Sequence, residues 1–292
     1  MVYWYVLITS GVLGLFVGSF LNVVADRLSL EKDFTRGRSV CNICGKTLGP
    51  KNLIPILSFI VQQGKCSFCR AKLSYFYPLS ELLTGAAFML AAHISRFALT
   101  MSTATFPYFI FLLVVFSVLV CIFLSDLKYQ IIPDQVVYFG IIFVFLFQLG
   151  VFGFWSYKSY TTYKNDEFQQ YYLKAGRLTR ELTSEAKHFG ANIATGIGIC
   201  AFFYALVVAT KERGMGGGDV KLGLLIGLFN GFPNGIIAVF LAFVIGSIFS
   251  ILLMLLQKKS IKDVIPFGPF LILGSVLSLV YGDAIFTRYI SF

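Results

Sequence analysis

The chain has 292 residues, of which 57% are hydrophobic and 13% charged, and its mean hydropathy is +0.80. Soluble domains carry about one quarter charged residues, so this composition excludes a soluble globular protein and predicts a polytopic membrane protein. The formal net charge of +10 favours a location beside anionic lipid. Nucleic-acid binding is not predicted, because the chain has no basic helix and no RNA-binding motif.

Apolar segments predict an all-α fold of about eight transmembrane helices, since about twenty apolar residues span a bilayer. The predicted helices run over 3–25, 77–97, 106–125, 135–155, 190–210, 219–232, 234–256 and 267–287. The first is too long for a signal peptide and has no basic segment before it, so it is predicted to remain as a membrane helix. Pro233 separates the short sixth helix from the seventh.

Lysine and arginine residues are distributed unevenly between the predicted helices. Sixteen of the 24 lie in the segments 26–76, 126–134, 211–221 and 257–266. Positive residues collect in cytoplasmic loops, so these segments are predicted to be cytoplasmic. The polar segment 156–189 then forms an extracytoplasmic insertion, interpreted as a solvated loop or as a surface helix over Gln169 to His188.

Two Cys-x-x-Cys pairs lie in the first cytoplasmic segment, at Cys41 and Cys44 and at Cys66 and Cys69. Four thiolates in two short turns are typical of tetrahedral zinc, and a cytoplasmic location disfavours disulfides. No further ligand is indicated, so zinc is predicted to be structural and to fold a small cytoplasmic loop over 26–76. Disulfides, free thiols and a catalytic zinc are the alternatives.

Asp126 and Asp219 each stand at the edge of an apolar segment, where a carboxylate is costly unless it is used. Three glycines before Asp219 allow a sharp bend and close approach of another group. Two neighbouring carboxylates on one membrane face share a proton and can hydrolyse a peptide bond by acid–base chemistry. The structural alternatives are pairing of Asp126 with Lys128 and capping of the next helix by Asp219. Asp134 is the rival of Asp126.

Small residues recur at every fourth position in two predicted helices. They are Gly14 and Gly18 in the first helix, and Gly223, Gly227 and Gly231 in the sixth. This spacing predicts close helix packing in lipid. Asp219 lies one turn before the second stripe, so tight packing would hold its carboxylate in place.

In this order, the motifs resemble those of the bacterial type IV prepilin peptidases, or leader peptidase/N-methyltransferases, of the GxGD membrane aspartic protease family. The resemblance covers nearly the whole chain. Besides the cysteine pairs it is carried by Gly18 to Val24, Pro55 to Gly64, Tyr77 to Glu81, Asp126 with Pro133 and Asp134, Gly216 to Leu222, and Pro266 to Phe270. Two departures are Asn42, where relatives often have proline, and the long segment 156–189.

The resemblance implies an aspartic endopeptidase of the bacterial cytoplasmic (inner) membrane, with Asp126 and Asp219 as the catalytic pair on the cytoplasmic side. Its partners would be the lipid bilayer and type IV prepilin or pseudopilin precursors, cleaved after a glycine that precedes an apolar helix. It also implies N-methylation of the new N-terminus from S-adenosylmethionine. Residues 1–100 would then be the methyltransferase part, and 101–292 the peptidase domain.

Three polar residues at the predicted membrane edge, Asn22, Arg27 and Glu81, are the candidates for methyl transfer. Glu81 can accept a proton from the new ammonium group, although a carboxylate near a helix start also has a structural interpretation. No glycine-rich loop after a strand is present, so a Rossmann-type methyltransferase is not indicated.

Two other functions are compatible with the same residues. One is a presenilin-like protease that cuts inside a transmembrane helix. The other is a non-enzymatic, proton-coupled transporter or assembly protein. Transporter sites usually lie near the bilayer midplane, whereas both candidate aspartates are predicted at one membrane face.

Overall fold

Helices dominate the computed structural model of the chain, which describes residues 1–33, 37–41, 43–165, 176–211, 215–256 and 265–290. The helices are α1 (Val2–Ser29), α2 (Leu57–Val61), α3 (Phe76–Ile94), α4 (Phe97–Thr100), α5 (Phe106–Tyr129), α6 (Asp134–Asn165), α7 (Arg177–Thr210), α8 (Gly217–Asn230), α9 (Asn234–Leu255) and α10 (Gly268–Ile290), with a 3-10 turn at Pro50–Asn52. Two isolated bridges, Val40 with Thr47 and Lys65 with Lys72, are the β pairings of the described residues. The all-α prediction is confirmed.

A helix lies at each of the eight predicted positions. Within the described ranges, six helices are long and apolar enough to cross a membrane: α1, α5, α6, α7, α9 and α10. The membrane-protein class is therefore confirmed. Helix α8 has only 14 residues, about 21 Å at 1.5 Å per residue, which is shorter than a hydrocarbon core of about 30 Å. The count of eight spans stays a prediction.

By its contacts the chain forms two compact units, Met1–Val136 and Val137–Phe292. In the first unit, α1 packs against α3 and α5, and α3 packs against α5. Its core between α1 and α5 is built from Leu21, Val24, Ala25, Val120, Cys121 and Leu124. Helix α5 therefore packs with α1 and α3, the helices that flank the loop with the four cysteines (30–75, the cysteine loop). The predicted functional boundary between residues 100 and 101 stays a prediction.

The second unit is built around α8. Helices α7, α9 and α10 all pack against it, and α9 also packs against α10. Its fully buried side chains include Phe203, Leu222, Leu225, Ile226 and Leu271. Helix α6 joins the unit through the amide of Gln148, which donates to the Leu228 carbonyl at 2.6 Å.

Both predicted glycine stripes lie at close helix contacts. A Cβ atom added to Gly14 would stand 2.8 Å from the Cα of Gly85 in α3. A Cβ added to Gly227 would stand 2.6 Å from the Cα of Gly196 in α7. Real Cβ atoms do not approach other atoms this closely, so each pair of helices touches backbone to backbone. The packing prediction is confirmed for both stripes.

Gly227→Ala is expected to destabilise the second unit by about 1–3 kcal/mol, the usual cost of overpacking a tight contact. The new methyl group would meet the backbone of α7, which cannot rotate away. Thermal unfolding in detergent, followed by helical circular dichroism, measures the effect. Gly198→Ala is the matched control, because nothing lies within 4 Å of a Cβ there. Equal stability of the two variants would contradict the close contact.

The polar segment 156–189 is helical over 156–165 and 177–189. Helix α6 continues to Asn165, and α7 begins at Arg177, which gives helices of 32 and 34 residues. The two extensions are joined by the Tyr163 hydroxyl, which donates to Glu181 Oε1 at 2.7 Å. The solvated-loop interpretation is wrong for 156–165 and 177–189, because paired polar side chains let the helices continue. The start of the alternative surface helix lies outside the described residues.

Candidate functional site

The four predicted zinc ligands come together in the first unit. The Sγ atoms of Cys41, Cys44, Cys66 and Cys69 lie within 4.8 Å of one another, and the distance from Cys41 Sγ to Cys69 Sγ is 3.9 Å. A tetrahedral ion with zinc–sulfur bonds of about 2.3 Å needs sulfur atoms about 3.8 Å apart. All four are free thiols, which the disulfide alternative does not fit. The donor set and its spacing fit zinc.

The two cysteine pairs form matching turns. In the first turn, the Gly45 N–H donates to the Cys41 carbonyl at 2.9 Å, and in the second, the Arg70 N–H donates to the Cys66 carbonyl at 3.0 Å. Gly45 and Arg70 both have positive φ, at 67° and 58°. This conformation is easy for glycine and costly for arginine, so the closed second turn must be held by other interactions, such as those of its cysteines.

The pKa values of the Cys41 and Cys69 thiols are shifted in opposite directions. Hydrogen bonds from the backbone N–H groups of Cys44 and Ile43 lower the pKa of the Cys41 thiol to about 6. For Cys69, a hydrogen bond to the Ala71 backbone favours the thiolate, but burial and the neighbouring thiols outweigh it and raise the pKa to about 11. A bound cation would allow all four to ionise together, because metal binding displaces the thiol protons.

Asp126 lies in the last turn of α5 with only 5% of its surface exposed. Its rival Asp134 begins α6 and is exposed. A buried carboxylate is costly to keep, and burial of this kind is typical of functional carboxylates. Of the two aspartates, Asp126 is thus the buried one, and its catalytic role stays a prediction.

Lys128, the proposed structural partner of Asp126, forms an ion pair with a different residue. Its Nζ atom is 2.7 Å from Oδ1 of Asp26 in α1. The Tyr129 hydroxyl donates to the same oxygen at 3.1 Å. This contact joins the end of α1 to the end of α5. Sequence reasoning missed it, because a separation of 102 residues carries no periodic signal.

Asp219 is the third residue of α8 and is 9% exposed. The N-cap of this helix is Gly216, so the prediction that Asp219 caps the helix is wrong: the glycine run already supplies the extended cap residue. Asp219 lies in the first turn, where the positive end of the helix dipole stabilises a carboxylate. Asp126 and Asp219 belong to different compact units, so their pairing stays a prediction.

The motif Pro266 to Phe270 packs near the Asp219 helix. The Phe267 ring lies 6.0 Å from the Phe203 ring, and a Cβ added to Gly223 would stand 2.5 Å from that same Phe203 ring. Gly223 is one turn beyond Asp219. The motif Pro266 to Phe270 therefore packs, through Phe203, against the helix that carries Asp219.

Asn22 and Glu81 lie at the contact between α1 and α3. The Asn22 amide donates to the Gly18 carbonyl at 3.1 Å and to Ser80 Oγ at 2.6 Å. Glu81, next to Ser80, is 8% exposed, and its Oε2 accepts the N–H of Ile56 in the cysteine loop at 2.8 Å. The structure thus brings two of the three methyl-transfer candidates close together.

Arg27, the third candidate, holds the beginning of the cysteine loop. Its guanidinium donates to the backbone carbonyls of Asp33, Gly37 and Arg38 at 3.2–3.4 Å. These are structural contacts between a side chain and the backbone, and the sequence does not indicate them. The Arg27 guanidinium therefore binds carbonyl groups of the cysteine loop, whereas the Glu81 carboxylate binds the loop to α3.

Two family models match the chain. Residues 12–95 match the Bacterial Peptidase A24 N-terminal domain, and residues 181–251 match the Type IV leader peptidase family. The first range contains the four cysteines and the three methyl-transfer candidates. Asp219 lies in the second range, and Asp126 lies between the two.

The relatives of the chain include proteins named prepilin leader peptidase/N-methyltransferase. The protein from Bacillus subtilis (strain 168) is 30% identical over 279 residues, which cover 96% of each chain. The protein from Pseudomonas aeruginosa is 27% identical, over 96% of this chain and 92% of the relative. That from Myxococcus xanthus (strain DK1622) is 41% identical over 122 residues, which cover 42% of this chain and 34% of the relative. No solved structure matches. The chain therefore belongs to the type IV leader peptidase family.

Proposed function

We propose that this protein removes the leader peptide of type IV prepilin-like precursors, after a glycine and at the cytoplasmic membrane face, and then N-methylates the new N-terminus. The observation that carries the proposal is the likeness over 96% of the chain to a relative named prepilin leader peptidase/N-methyltransferase. The two buried aspartates are candidates for the acid–base chemistry of cleavage, and the cysteine cluster is a candidate site for structural zinc.

Asp126 and Asp219 are the proposed acid–base pair. Like charges disfavour double ionisation, so a close pair holds one proton between its members. The ionised carboxylate takes a proton from water, whose oxygen attacks the scissile carbonyl carbon, while the protonated carboxyl donates to the carbonyl oxygen. The tetrahedral intermediate then collapses, the C–N bond breaks, and the leaving nitrogen receives a proton. Burial of both residues, at 5% and 9% exposure, supports this role.

Charge distribution supports the cytoplasmic placement, since 16 of the 24 Lys and Arg residues lie in the segments assigned to that side. Contacts within the first unit agree with it. The cysteine loop connects the end of α1 to the start of α3, and the Asp26–Lys128 ion pair joins the end of α1 to that of α5. Asp126 and the cysteine loop therefore lie at the same end of this unit.

For methyl transfer, S-adenosylmethionine would supply an electrophilic methyl group. Among the three candidates, Glu81 is the one that can take the proton from the new ammonium group. A carboxylate has about four acceptor sites, and the Ile56 N–H occupies one of them. The deprotonated amine would then be the nucleophile for that methyl group, and Glu81 would hold the released proton. We assign Asn22 and Arg27 to holding the surrounding helices and loop.

Co-expression with a pilin precursor tests the function. Mass spectrometry of the product is expected to show loss of the leader and a gain of about 14 Da, because one methyl group replaces one hydrogen. A cut deep in the apolar segment would instead support an intramembrane protease. An intact precursor, with proton-coupled flux in liposomes, would support the transporter hypothesis.

Glu81→Gln is expected to reduce methylation by about 10²-fold or more, the usual contribution of a general base, and to leave cleavage intact. The amide oxygen still accepts the Ile56 N–H, so the loop contact is kept. Both activities are measured on the same pilin product. Glu31→Gln, at an exposed loop position, is the control. Equal loss of cleavage and methylation in Glu81→Gln would show that the residue is structural.

A further inference from the structure

The cysteine loop exposes a cluster of large apolar side chains. They belong to α2 and the residues before it, and we call this set the apolar ridge: Leu53, Ile54, Leu57, Ile60 and Val61. Their exposed fractions range from 39% at Leu53 to 81% at Val61. Leu57, Ile60 and Val61 stand at positions i, i+3 and i+4 of α2 and so share one face of it. Exposed apolar surface of this kind usually marks an interaction site.

The position of the ridge along the axes of α1 and α3 is fixed by its contacts with these helices. The Ile56 N–H, at the start of α2, donates to Glu81, five residues into α3 and about 7.5 Å along its axis from its first residue. Gly18 of α1 packs against the same residue, since a Cβ there would stand 2.9 Å from the Glu81 Cα, and Gly18 precedes Asp26 by eight residues, about 12 Å along α1. The start of α2 therefore lies beside the apolar part of α1, more than one turn inside the polar ends of α1 and α3.

The backbone at Ile56 fixes this return. Its φ is 60° and its ψ is −50°, a positive-φ conformation that a β-branched residue rarely adopts. The hydrogen bond to Glu81 is made by this same residue. The position at which α2 begins is therefore set by a strained residue that a buried carboxylate holds in place.

The chain on either side of the ridge is basic, and the carboxylate of Glu81, which binds Ile56, is buried. Residues 34–80 contain seven Lys and Arg and no Asp or Glu. Lys51 and Lys65 flank the ridge and are exposed. Apolar side chains bordered by basic residues, next to membrane helices, are typical of segments that lie in the interface of an anionic bilayer.

We propose that the apolar ridge lies in the membrane–water interface and binds anionic lipid. Acyl chains cover the five apolar side chains, and headgroup phosphates pair with Lys51 and Lys65. A basic peptide is not the favoured occupant, because the loop would repel it. This assignment depends on the membrane location of the chain and is independent of the proposed chemistry.

Tryptophan quenching tests the proposal on the full-length, zinc-loaded protein in nanodiscs. Trp4→Phe and Trp155→Phe remove the two native tryptophans, and Val61→Trp places a probe on the ridge. In phosphatidylglycerol nanodiscs the probe is expected to emit at short wavelength and to lose most of its emission when the acyl chains are brominated. Lys46→Trp, exposed in the first cysteine turn, is expected to lose much less.

Two outcomes would overturn the lipid assignment. Emission at long wavelength without quenching would place the ridge in water. A short-wavelength emission that bromine does not quench would place it against protein. Equal quenching of the Val61 and Lys46 probes would also contradict a ridge-specific contact.

The charge part of the proposal has its own test. Lys51→Gln combined with Lys65→Gln is expected to reduce quenching of the Val61 probe in phosphatidylglycerol, and so is exchange to phosphatidylcholine. Unchanged quenching in both cases would show that lipid charge plays no part. Leu57→Ser with Ile60→Ser, which removes ridge area, is expected to weaken quenching, and zinc content confirms that each variant retains the folded loop.

Discussion

Asp126→Asn and Asp219→Asn are each expected to abolish leader cleavage, with a rate loss of about 10²–10⁴-fold or more. Asparagine has nearly the shape of aspartate but can neither share a proton nor take one from water. Both side chains are buried, so the neutral amide should be tolerated by the fold. Cleavage of a purified pilin precursor in detergent measures the loss, and unchanged zinc content shows that the protein is intact.

Asp134→Asn is the matched control for this pair. Asp134 is only eight residues from Asp126 and is exposed at the start of α6. Its variant is expected to cleave at nearly the rate of the unaltered protein. Full cleavage by either dyad variant would disprove the proposed mechanism, and loss of cleavage in Asp134→Asn alone would transfer the catalytic role to that residue.

Cys66→Ala is expected to remove zinc from the protein and to reduce methylation far more than cleavage. Cys66 is 2% exposed in the centre of the cluster, and structural zinc contributes about 10–16 kcal/mol to folding of comparable small sites. Without the ion the loop loses the contact that positions Glu81, whereas α8 and its Asp219 lie in the other unit. Metal analysis, expected to fall from one zinc per chain, and assays of both activities measure the effect.

Cys200→Ala serves as the control for this variant, because Cys200 lies in α7 and outside the cluster. It is expected to retain zinc and both activities. If a chelator stopped proteolysis selectively while the fold stayed intact, the structural role of the metal would be wrong.

Patterns within a short stretch of sequence were sufficient for much of the fold. Apolar runs predicted a helix at all eight positions, and a four-residue glycine spacing predicted the close contacts of α1 and α8. The spacing of Cys41, Cys44, Cys66 and Cys69 predicted a cluster with zinc geometry. Each of these features depends on residues whose chemistry alone restricts the structure they form.

Contacts between distant residues were not accessible in the same way. Nothing in the sequence indicates that Lys128 pairs with Asp26, or that Glu81 binds the backbone of Ile56. Helix α7 begins before its apolar residues, since side-chain contacts such as that of Tyr163 with Glu181 stabilise a polar helix end. Composition alone assigns such a segment to a loop. Arg70 adopts a conformation that its residue type disfavours, which only the closed turn explains.

The contact between Gly196 and Gly227 restricts how this protein can change. When a larger residue enters most helix interfaces, a smaller one opposite can make room for it. Here both partners are already glycine and meet at their Cα atoms, so no substitution at either position can compensate for one at the other. Only a displacement of the whole of α7 would accommodate a side chain, and such a displacement would also disturb the packing of the helix that begins beside Asp219. Neither glycine can therefore be substituted without a displacement of α7.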